Sequence, residues 1–183
     1  MIEPEDKVAA VVDAAGGRLV SRVRLQKTVY LLDQLGLSSG FDYEYHHYGP
    51  YSRDLDNATS DADALGVVQE KIQHRAGDGA SYSVFILPKS GSSKDEALGT
   101  LGRSKAAELV QKFASTELTV LELAATVDWL WRYERCRDWQ SEIARRKPMK
   151  VGNGRLDRAV KLLRDLGLTP PVPERGAIMA PEG

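Results

Sequence analysis

A chain of 183 residues and 20.2 kDa, 42% hydrophobic and 28% charged, is long enough to bury a core as one domain or as a domain with an appendage. Twenty-five Lys and Arg against 26 Asp and Glu leave a net charge of -1, which excludes a whole-molecule attraction to nucleic acid or to an anionic membrane. The single cysteine, Cys136, excludes a disulfide framework and a cysteine-cluster metal site.

A reducing, cytoplasmic setting is therefore expected. The acidic opening Met1-Ile2-Glu3-Pro4-Glu5-Asp6 lacks the order of a secretion signal, and no apolar run approaches the roughly 18 residues that span a bilayer.

Val8, Val11, Val12 and Ala15 recur at helical spacing and end at Gly16-Gly17. Ser21 caps a second expected helix with the stripe Leu25, Val29 and Leu32, closed by Gly36. From Phe41 to Tyr48 the period changes to two, aromatic residues alternating with polar ones, which predicts a half-buried strand ended by Gly49-Pro50. Ser52 then caps a third helix running to Leu65. Runs around Val67–Gln73 and Tyr82–Leu87, joined by the turn-rich Ala76–Ala80, predict a hairpin. Three helices followed by a hairpin are the order of a winged helix.

Pro88–Gly102 is rich in glycine and serine and reads as a flexible loop with a short helical turn. Helical periodicity returns at Ala106, Leu109, Val110 and Phe113. It continues in two apolar rows from Leu118 to Trp131, then at Trp139 and Ile143, and last at Leu156, Val160 and Leu163. The expected fold is α+β and mainly helical: a winged-helix-like core over 1–88, a flexible loop over 89–102, a helical extension over 103–168 packed on the core, and a disordered tail over 169–183.

Charge is unevenly shared. Arg132–Asp165 holds eleven Lys or Arg against five Asp or Glu, and the basic patch Arg145, Arg146, Lys147 and Lys150 lies within it. The third helix has the opposite sign, with Arg53 its only basic residue against Asp54, Asp56, Asp61 and Asp63. Such a helix repels phosphates, and Arg18, Arg22, Arg24, Lys27, His74 and Arg75 compensate only in part.

Catalytic patterns are sparse. Asp42, Glu44 and His46 share one face of the expected strand and could meet a metal, yet any half-exposed strand carries such a face. Cys136 between Arg135 and Arg137 reads as an ordinary helical cysteine, and Lys89–Lys94 lacks the full order of a phosphate-binding loop. No enzyme activity, cofactor or metal is expected.

Two blocks carry a resemblance: Arg24-Leu25-Gln26-Lys27-Thr28-Val29-Tyr30-Leu31-Leu32, and Tyr45-His46-His47-Tyr48-Gly49-Pro50-Tyr51-Ser52 followed by Leu55. Together, in this order and spacing, they resemble the Panacea or SocA-like domain and the related YwgA-like proteins over about the first half of the chain. The resemblance implies an antitoxin-like or adaptor role exerted by protein contact, with a toxin among the conceivable partners. Within the two blocks it points to Gln26, Lys27, Tyr30, Tyr48, Tyr51 and Arg53 as contact residues. A winged-helix DNA-binding regulator that uses the basic segment is the alternative.

Overall fold

The computed structural model describes residues 1–89, 93–168 and 170, so the expected tail over 169–183 lies outside the described residues apart from residue 170. Helix α1 (Pro4–Ala14) starts where the Glu3 N–H donates to the Asp6 carboxylate at 3.0 Å. Gly16 and Gly17 stand at φ 82° and 85°, reversing the chain into strand β1 (Arg18–Val20). Helix α2 (Arg22–Asp33) is capped by Ser21, whose Oγ accepts the Arg24 N–H, and its stripe Leu25, Val29 and Leu32 is buried.

After β2 (Glu44–His46) and β3 (Gly49–Tyr51) comes helix α3 (Arg53–Ala64), capped by Ser52 as expected, and then β4 (Gln69–His74) and β5 (Ser81–Ile86). One antiparallel sheet has the order β1-β5-β4, with Leu19 opposite Phe85 and Ile72 opposite Ser83. Strand β1 has no counterpart in the sequence reading, because three residues are too few to show a period. It completes the winged-helix order and carries Arg18.

The single strand expected over Phe41–Tyr48 is instead a short hairpin. Only Glu44–His46 is a strand, and Gly49-Pro50, expected to end it, belongs to the returning strand, with Glu44 opposite Tyr51 and His46 opposite Gly49. Gly49 makes this return possible at φ 86°, and a Cβ there would stand 2.4 Å from Thr126 Oγ1. The alternation itself holds: Phe41, Tyr43 and Tyr45 turn partly inward while Asp42, Glu44 and His46 are exposed.

The linking segment is pinned where it is described. Lys94 pairs with Asp6 at 2.7 Å, Arg103 with Asp13 at 2.8 Å, and a 3-10 turn at Asp95–Leu98 buries Ala97 and Leu98. Beyond it run α4 (Gly102–Ser115), α5 (Leu118–Arg132), α6 (Trp139–Arg146) and α7 (Arg155–Asp165). Every residue of α5 from Val120 to Leu130 is buried, because α2 and β3 cover the helix along with α6 and α7. The two apolar rows read from its sequence thus face two neighbours at once. Core and extension share one hydrophobic interior. No helix among the described residues is long and apolar enough to cross a membrane.

Candidate functional site

The two sequence blocks meet in space. Gln26 points from α2 at the start of α3, where its Nε2 donates to the Ser52 carbonyl and its Oε1 accepts the Ser52 N–H, both at 2.8 Å. Two residues before Ser52, the Pro50 carbonyl accepts from Lys27 Nζ at 2.5 Å. Tyr30 Oη donates to Asp128 Oδ2 at 2.7 Å, and Arg132 holds the other oxygen at 3.0 Å. These three residues of α2 are 5%, 1% and 0% exposed, so they fasten the corner from within and present no surface to a partner. Tyr48, Tyr51 and Arg53 do reach the surface: Tyr48 is half exposed, Arg53 is exposed, and Tyr51 stacks on His46 at 4.6 Å.

Burying Lys27 disfavours its ammonium. Desolvation lowers its pKa, Lys147 and Lys150 push the same way, Glu122 opposes them, and the amine settles at about 7. Tyr30 moves up instead, through burial first and then through the charge and hydrogen bond of Asp128.

The expected basic patch is not a free cationic surface. Lys147 is 5% exposed and pairs with Glu122 at 2.6 Å, while Lys150 reaches the same carboxylate at 2.8 Å. Arg145 pairs with Glu142 at 2.7 Å, and Arg146 pairs with Glu142 at 2.5 Å and with Glu134 at 2.6 Å. Hydrogen bonds from Arg145 and Arg146 bring Glu142 down to about 2. Three of the compensating cations on the core are engaged as well. Arg22 forks onto Glu70 and reaches Asp56 at 2.6 Å, Arg24 donates to the carbonyls of Phe113 and Thr116, and Arg75 pairs with Asp78.

On α3, Asp56 is tied to Arg22 and Asp63 accepts the Glu70 N–H, whereas Asp54 and Asp61 are exposed and have no ion-pair partner among the described residues. Glu44 and His46 meet each other at 2.9 Å, and among the described residues no three His, Cys, Asp or Glu side chains are grouped to hold a metal. Burial raises the Cys136 thiol pKa, contrary to what its arginine neighbours in sequence would do.

Sequence reading passes over Glu122 and Asp128, which organise this corner from α5. Both were visible as charges inside a helix apolar on two faces, a position that requires buried partners.

No family model matches the chain. It is 31% identical over 134 residues to the DNA ADP-ribosyl glycohydrolase of Thermus aquaticus, covering 68% of this chain and 34% of that protein. It is also 22% identical over 150 residues to the uncharacterized protein YwgA of Bacillus subtilis, covering 82% of this chain and 89% of that one. The chain thus spans about a third of the length of the glycohydrolase and most of the length of YwgA, and both similarities are distant.

Proposed function

We propose that this protein acts without catalysis, as an adaptor-like or antitoxin-like module that grips a protein partner with the acidic face of α3. The observation that carries this reading is the sign of the exposed charge at the position where a winged helix reads DNA. Asp54 and Asp61 stand exposed and unpaired there among the described residues, with Arg53 the one cation on the helix, while Arg22, Arg24, Arg75 and Lys147 are bound to carboxylates or carbonyls of the same chain. Asp54, Asn57 and Asp61 also line a cleft of about 420 Å³ together with Pro4, Lys7, Ser39, Gly40 and Phe41, in which the Lys7 ammonium is held by the Ser39 carbonyl. Lys7 lies 5.7 Å from the centre of the Phe41 ring, and a lysine or arginine of a partner would meet the exposed Asp54 and Asp61 carboxylates on the α3 side of this cleft.

Gln26, Lys27, Tyr30, Glu122 and Asp128 each spend their polar atoms on holding the fold, which supports a non-catalytic role for this corner. The DNA ADP-ribosyl glycohydrolase is about three times as long as the shared segment, which leaves room in it for a separate domain to perform the hydrolysis. We assign the shared segment the contact role.

Two measurements test this. Full-length protein mixed with duplex DNA at low salt should give no mobility shift; binding that weakens steeply with added salt would install the DNA-regulator reading instead. The double charge reversal Asp54→Lys, Asp61→Lys should abolish co-purification of the native partner while lowering stability by no more than about 1 kcal/mol, the cost of placing a cation in the first turn of α3. Retention of the partner by that variant would remove α3 from the contact.

A further inference from the structure

Between the β2–β3 hairpin and the segment joining α6 to α7 lies a cleft of about 570 Å³. Its apolar rim is unusually exposed: Met149 is 88% and Tyr48 51% accessible, with Pro148 beside them. Its lining is also cationic, with Lys147 and Lys150 beside these residues and the Arg146 guanidinium laid over the Tyr45 ring at 4.6 Å.

The charges behind this lining do not balance. Arg145 and Arg146 are matched by Glu134 and Glu142, but Lys147 and Lys150 share one carboxylate, that of Glu122. One unit of positive charge is left over, beside a Glu122 side chain that is only 4% exposed. Lys150 carries that surplus outward: its side chain is 34% exposed and its Nζ lies 4.9 Å from the centre of the Tyr48 ring. The effect of the surplus is felt at Lys27, whose proton Lys147 and Lys150 help to expel.

We propose that this cleft receives a carboxylate of a partner polypeptide flanked by an apolar side chain, the carboxylate completing the charge of the Lys147–Glu122–Lys150 cluster and the apolar group lying between Tyr48 and Met149. The inference rests on the reading of the protein as a contact module and adds a second surface, opposite in sign to α3. An acidic-apolar segment matches both halves of the cleft at once, whereas a bare phosphate would leave Tyr48 and Met149 uncovered.

The experiment uses full-length protein labelled with ¹³C at its three methionine methyls, Met1, Met149 and Met179, with the Met149 signal assigned through Met149→Leu. N-acetylphenylalanine, which joins a carboxylate to an aromatic ring, is titrated in parallel with its uncharged amide and with inorganic phosphate. The Met149 signal should shift saturably with the acid, and about tenfold more weakly with the amide, which lacks the charge-assisted contact. Lys150→Gln should bring the acid down to the level of the amide. Equal responses to acid and amide, an equal response to phosphate, no response to the acid, or indifference to Lys150→Gln would each overturn the proposal. No residue of α3 lines this cleft, so a failure here leaves the partner test on Asp54 and Asp61 standing, and the converse holds.

Discussion

The side chain of Gln26 treats Ser52 as a strand would treat its neighbour, donating to the carbonyl and accepting from the N–H, each at 2.8 Å, across 26 residues of sequence. Both atoms of Ser52 are thereby satisfied in the interior, at the residue whose Oγ caps α3. Gln26→Leu therefore strands the buried Ser52 N–H, while the Ser52 carbonyl keeps the Asp56 N–H at 3.1 Å, and should lower stability by about 1–3 kcal/mol. Urea denaturation of the variant measures this.

Gly49 and Thr126 are packed too closely for any other residue at position 49. A Cβ there meets Thr126 Oγ1 at 2.4 Å and must also adopt a left-handed backbone, which costs about 1–2 kcal/mol by itself. Gly49→Ala should therefore destabilise the hairpin and α5 together, and adding Thr126→Ala should recover the steric part and leave the backbone part. Additive losses in the double-mutant cycle would show that the two residues do not press on each other.

Glu122 is the counter-ion of a buried lysine, so removing its charge should be costly. Glu122→Gln leaves Lys147 unpaired in the interior, with an expected loss of about 3–5 kcal/mol. Replacing the pair with Glu122→Leu and Lys147→Met together should restore most of it, since no charge is then left inside. A double variant no more stable than Glu122→Gln would mean that packing, not charge, holds α6 to α5.

Lys27 makes stability depend on pH in an unusual direction for a polar contact. Its folded pKa, lowered by burial and by Lys147 and Lys150 to about 7, lies below the ordinary lysine value of the unfolded chain. Between those two values the unfolded state binds the extra proton, so this group's contribution favours folding more as pH rises, with a slope approaching about 1.4 kcal/mol per pH unit. Below the folded value the amine is charged in both states and the slope vanishes, leaving the full desolvation penalty in place. Chemical denaturation at stepped pH from 6 to about 9.5 should show wild type gaining on Lys27→Met through this window. Parallel pH profiles would assign the amine an ordinary pKa.

Much of the fold was legible locally. Helix boundaries follow from the caps Ser21 and Ser52 and from stripes such as Leu25, Val29 and Leu32, and the wing follows from period-two runs around a glycine-rich turn. The acidity of α3 could likewise be read by eye, because a charge on a helix needs no partner to be counted. The β2–β3 hairpin was misread as one strand, since its return depends on the fit of Gly49 against Thr126, 77 positions away and invisible to any window.

The chain's own order of residues thus determined which segments are helical, where the wing turns and which helix is negative, all consequences of contacts spanning a few positions. Tertiary structure alone decided that Lys27 and Tyr30 face inward, and that the basic segment from Arg145 to Lys150 is largely consumed by Glu122, Glu134 and Glu142. The physical reason is that a count along the sequence registers charges but not their distances. Electrostatic free energy depends on separation and burial, and both arise only once α5 is laid between the two halves of the fold.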